Sequence, residues 1–133
     1  MKLYDNIKPV YTLDAEVYTT DTTGTDVVDT LGFSDGMMIA LAGDIATTTG
    51  DVYTITLKES TSSTGTFTST GISVSFLNTD DNEIHVARIP SLNTVRSRFL
   101  RADLTCTGTT LSWEGAVAIL LGDGDSGPVT QPS

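Results

Sequence analysis

Val52-Tyr53-Thr54-Ile55-Thr56-Leu57-Lys58-Glu59 is the stretch that decides the fold. Tyr53, Ile55 and Leu57 alternate with Thr54, Thr56 and Lys58. A period of two is the mark of a strand with one buried and one wetted side. The pattern recurs outward from here. Ile72, Val74 and Phe76 alternate with Ser73 and Ser75 over 72–77. Over 99–107, Leu100, Ala102, Leu104 and Cys106 face one way, and Arg101, Asp103 and Thr105 the other. Over 111–121, Leu111, Trp113, Val117 and Ile119 share a face. Met37 to Ala42 is a continuous apolar run that stops at Gly43-Asp44; a strand covered on both faces fits it best, with a short buried helix as the alternative. Segments 15–20, 26–31, 66–70 and 83–89 are weaker strand candidates.

Composition agrees. Thr and Ser together supply 36 of the 133 residues, 24 and 12 respectively. Thr is β-branched and favours extended backbone, while Ser marks turns. Turn clusters rich in Gly, Asn and Asp fall at near-regular spacing, and no stretch sustains a 3.6-residue period. The expected fold class is all-β: a two-sheet antiparallel sandwich of about eight strands, jelly-roll-like or immunoglobulin-like. Three parts are expected: an extended N-terminal arm over 1–13, the sandwich domain over 14–122, and a flexible acidic, Gly- and Pro-containing tail over 123–133.

Charge narrows the partners. The formal net charge is −10 and the sequence pI is about 4.1. Nucleic-acid and anionic-membrane partners both call for a basic footprint, so neither is expected. No apolar run approaches the length of a bilayer span, and residues 1–6 carry no signal-peptide core, so synthesis in a cytoplasm is expected. One cysteine, Cys106, excludes an internal disulfide and fits a small buried apolar position.

The candidate chemistries are weak. Gly124-Asp125-Ser126-Gly127-Pro128 imitates a serine-protease nucleophile motif, with His85 and Asp103 in the matching order. A nucleophile seven residues from the end of this sequence has no rigid oxyanion hole around it. Asp123 to Gly127 imitates the start of a calcium loop, and Asp80-Asp81-Asn82-Glu83 reads as a solvated acidic turn, with weak calcium binding as the alternative. His85, flanked by Ile84 and Val86, is expected on the solvent side of its strand, and Trp113 in the core. No catalytic residue, metal or cofactor is expected. Two features point to a partner instead. Arg88, Arg96, Arg98 and Arg101 are four of only seven basic residues and fall within fourteen positions. Arg96 and Arg98 are expected on one strand face, where their guanidinium groups, with Arg101 nearby, could present together to carboxylates, either of a partner or of this chain itself. Leu3, Tyr4, Ile7, Val10 and Tyr11 give the arm too much apolar surface for a free tail.

The order of elements also carries a resemblance. Asp26-Val27-Val28-Asp29-Thr30-Leu31-Gly32 precedes the apolar strand, Tyr53 to Leu57 follows, and a Ser/Thr/Gly loop comes next. Arg98-Phe99-Leu100-Arg101-Ala102-Asp103-Leu104-Thr105-Cys106-Thr107-Gly108-Thr109 then leads to a closing strand that ends Leu120-Leu121-Gly122. Over roughly 14–122 this resembles the small jelly-roll cement, or decoration, proteins of tailed bacteriophage capsids. The resemblance implies a structural virion protein on the capsid exterior. Its implied partners are the major capsid protein and further copies of itself, as a dimer or trimer at capsid symmetry axes. A tail, fibre or carbohydrate-binding receptor-recognition module is the other reading.

Overall fold

A computed structural model describes residues 6–122, which form eight strands. They are β1 (Ile7–Tyr18), β2 (Val28–Asp29), β3 (Asp35–Ile45), β4 (Val52–Ser60), β5 (Thr68–Leu77), β6 (Ile84–Ile89), β7 (Phe99–Thr107) and β8 (Trp113–Gly122). Two four-stranded sheets have the orders β1-β8-β3-β6 and β2-β7-β4-β5, and every strand pairing is antiparallel. The first strand pairs with the eighth, the second with the seventh, the third with the sixth and the fourth with the fifth. That is one long antiparallel ribbon rolled up until β8 meets β3 and β7 meets β4, the jelly-roll topology. The immunoglobulin-like alternative is thereby set aside.

The core lies between the sheets. Tyr53, Ile55 and Leu57 of β4, Leu100, Ala102 and Leu104 of β7, and Trp113, Val117 and Ile119 of β8 are all buried in it. Phe76 and Tyr18 pack their rings on Trp113 at centroid distances of 5.6 and 5.9 Å. The alternation read from sequence is the alternation found in these strands.

Four segments depart from expectation. Residues 68–70 of the expected segment 66–70 join 72–77 in a single strand, β5, which runs through Gly71, whose positive φ of 82° sits at a bulge opposite Leu57, between the Thr56–Ser73 and Lys58–Ser69 pairs. Residues 7–13, expected within the arm, form the first part of β1 and pair along β8. Pro9 obscured this: it has no N–H to donate, which suits an edge strand such as β1. Leu3 and Tyr4, and the tail over 123–133, lie outside the described residues. His85 is reversed: Ile84 and Val86 are 60% and 52% exposed, while His85 turns inward and stacks on Phe76 at 4.0 Å. Finally, Met37 to Ala42 is covered on one face only. Met38 and Ala40 are fully buried, whereas Met37 and Leu41 remain 37% and 39% exposed.

Thr12 joins the two sheets. It bulges out of β1 between Tyr11 and Leu13, fully buried. Its Oγ1 donates to the Asp26 carbonyl at 3.0 Å and accepts the Ala102 amide at 3.0 Å. Ala102 lies on β7 between the short pairing with β2 at Leu100 and an isolated bridge from Thr22 to Leu104. The Thr12 hydroxyl thus stands in for a ladder partner that the two-residue β2 is too short to provide.

Candidate functional site

Every arginine of the sequence cluster has a carboxylate partner within the chain. Arg98 makes a two-pronged pair with Asp29, Nε to Oδ1 and Nη2 to Oδ2, both at 2.8 Å, and its guanidinium lies 4.9 Å from the Phe99 ring centroid. Arg101 grips Asp103 in the same way at 2.8 and 2.9 Å and lies over the Phe67 ring at 4.4 Å. Lys58 Nζ reaches Asp103 Oδ2 at 3.2 Å, and the Gly24 amide donates to Asp103 Oδ1 at 2.9 Å. Burial pushes the Asp103 carboxyl up, but Arg101, the Gly24 amide and Lys58 outweigh it and hold it below the usual carboxylate range. The Asp29 carboxyl is likewise lowered, chiefly by the Arg98 hydrogen bonds.

Arg96 and Arg98 do not share a strand face, because β7 begins only at Phe99. Residues 90–98 form a tight turn in which Ser91 and Asn93 take positive φ values of 62° and 60°. The Ser91 carbonyl accepts the amides of Val95 and Arg96, both at 3.1 Å. The turn sends Arg96 to Glu59 at 3.5 Å and the Thr70 carbonyl at 3.2 Å, away from Arg98 and Asp29. Sequence proximity gathered these cations; the turn separates them. Of the arm residues described, Ile7 and Val10 are partly buried, and Tyr11 is 55% exposed.

The acidic turn is engaged with backbone. Asp80 Oδ2 accepts the Leu77 amide at 2.8 Å, and Asp81 Oδ2 accepts the Ile45 amide at 3.3 Å. Asp80, Glu83 and His85 bring ligand atoms within 4.8 Å of one another. His85 Nδ1 contacts the Ser75 carbonyl at 2.8 Å, and Nε2 contacts Glu83 Oε1 at 3.0 Å. The imidazole therefore bridges β5 and β6, the edge strands of opposite sheets. It makes no contact with Asp103, whose partners are Arg101, Lys58 and Gly24.

What sequence reading missed is the contrast between the two outer faces. On the β2-β7-β4-β5 sheet, Thr105, Thr54 and Ser75 form one cross-strand row, and Asp103, Thr56 and Ser73 the next. Thr54 and Ser75 hydroxyls lie 3.2 Å apart. This is an ordinary wetted face. The β1-β8-β3-β6 sheet is different. Its outer rows run Pro9–Leu120–Met37–Arg88, then Tyr11–Ala118–Ile39–Val86, then Ala116–Leu41–Ile84. Ten of these eleven side chains are apolar or aromatic, and Tyr11, Met37, Leu41, Ile84 and Val86 are exposed, with Ile39 and Leu120 half-buried between them. The signal was in the sequence: Met37 to Ala42 is apolar at every position, where a half-wetted strand would alternate.

No protein-family model matches the chain, and no curated protein matches it. Among solved structures it is similar to a chain in the structure of infectious bursal disease virus, Gx strain, at 10% identity and a TM-score of 0.49. That alignment covers 92% of this chain and 33% of the other, so this chain spans about a third of that chain's length.

Proposed function

We propose that this protein is a structural virion component, a cement or decoration protein that binds the exterior of a tailed-bacteriophage capsid and reinforces contacts between major capsid protein subunits. The observation that carries the reading is the pairing of a jelly-roll sandwich with one hydroxyl-rich outer face and one apolar outer face. An apolar patch of this extent on a small sandwich marks an interaction surface. The resemblance in the order of elements supplies the class of partner, and the acidic surface keeps the protein soluble before assembly. The reading assigns no catalytic or cofactor role to the chain. It places the protein on the virion after synthesis in the host cytoplasm.

The test is direct mixing with purified undecorated capsids, followed by co-sedimentation and electron microscopy of the particles. Added density outside the shell at regular capsomer or symmetry-axis positions is the expected result. Failure to co-sediment at saturating protein would refute the reading. Arg98 offers a second handle, since its side chain is 44% exposed although paired with Asp29. If that end of the sandwich meets acidic capsid surface, Arg98→Ala should lower capsid binding and leave the far-UV spectrum unchanged.

A further inference from the structure

We infer that the apolar outer face of the β1-β8-β3-β6 sheet is covered by a second copy of this chain, packed face to face about a two-fold axis with the strands of the two copies antiparallel. Three observations lead there. The first is the strand pattern. Met37 to Ala42 reads as a strand covered on both faces, and the fold covers only one. A second sheet packed about 10 Å away, as in any sandwich, would cover the other.

The second is area. Four strands about 4.8 Å apart and three rows of side chains give a face of roughly 400 Å² in projection. Two such faces, with their side-chain relief, come to about the 1,000 Å² that a specific interface requires. The third is charge. One end of the face carries Arg88, beside Asp35 at 3.6 Å. The other end carries Glu114, which follows Trp113 on β8 opposite Val17. A two-fold with parallel strands would stack the acidic ends on each other. The antiparallel arrangement keeps them apart and brings Arg88 onto the partner's acidic end.

The inference takes the face on which the capsid reading rests and gives it to a second copy of this chain; it is tested apart from capsid binding, on the isolated full chain. Sedimentation equilibrium at micromolar concentration should show a dimer. Val86→Glu, at an exposed position that folding does not need, should raise the dissociation constant roughly tenfold or more with an unchanged far-UV spectrum. Arg88→Glu should also weaken the dimer, and most at low salt. A monomeric wild-type chain would overturn the inference. If that monomer lost capsid binding on Val86→Glu, the shell and not a second copy would be the occupant. An oligomer indifferent to Val86→Glu would likewise overturn it. An oligomer strengthened or unmoved by Arg88→Glu would overturn the antiparallel arrangement.

Discussion

Replacing Thr12 by valine keeps the shape of the side chain and removes its hydroxyl. The position is fully buried, so no water replaces the lost partner. Two groups lose their partner: the buried Ala102 amide, which donates to Oγ1 at 3.0 Å, and the carbonyl of the exposed residue Asp26, which accepts from it at 3.0 Å. A buried donor or acceptor left unsatisfied costs about 1–3 kcal/mol, the amide toward the upper end and the less enclosed carbonyl toward the lower. The expected loss is therefore about 2–4 kcal/mol. At this chain length a kilocalorie moves the midpoint by about 3–5 °C, so Tm should fall by roughly 10 °C. Thr12→Ser is the control. It keeps both hydrogen bonds and deletes one buried methyl, at a cost of about 1 kcal/mol. Thermal and urea unfolding followed by circular dichroism measure both variants. The order expected is wild type, then serine, then valine. A valine variant as stable as the serine one would show that packing, not the bridge between sheets, is what Thr12 contributes, and would refute the ladder argument.

Gly24→Ala should destabilise by about 2 kcal/mol or more, because the new Cβ would lie 2.3 Å from the Ala102 carbonyl oxygen and 2.7 Å from Arg101 Cγ; the urea midpoint reads it. Stability should fall as the solution is acidified below about pH 4: the lowered carboxyls of Asp103 and Asp29 stabilise the fold above the unfolded value of about 3.9, and that contribution disappears as pH drops through their folded values. Asp103→Asn should consequently be less stable at neutral pH and show a shallower acid loss, measured as urea midpoints across pH. Burial, reinforced by Asp21, pushes the Cys106 thiol up to about 11, so thiol reagents at pH 8 should label native protein far more slowly than urea-unfolded protein. Equal labelling rates would contradict the half-buried placement of Cys106. Arg96→Glu should destabilise, because it sets a carboxylate against Glu59 where both native side chains are under one-fifth exposed; an unchanged melting temperature would contradict that pairing.

The repeated period of two, in residues such as Tyr53, Ile55, Leu57 and Leu100, Ala102, Leu104, was enough to determine an all-β sandwich and which side chains share a face. Hydroxyl-rich alternation likewise marked Thr54, Thr56, Ser73 and Ser75 as wetted positions. These are local properties, set by the backbone pleat. Tertiary structure decided whatever depends on which strands become neighbours. Period alone says that Ile84 and Val86 oppose His85, not which side meets the other sheet; the register of β6 against β3 turned His85 inward. Arg98 finds Asp29 across 69 positions of sequence, a meeting that only the jelly-roll path arranges. Pro9 hid a strand that pairing with β8 supplies. The apolar run at Met37 to Ala42 announced two covered faces, but a single chain has only one other sheet to cover with, so the exposed second face is a fact of tertiary structure that the sequence pattern already required something to fill.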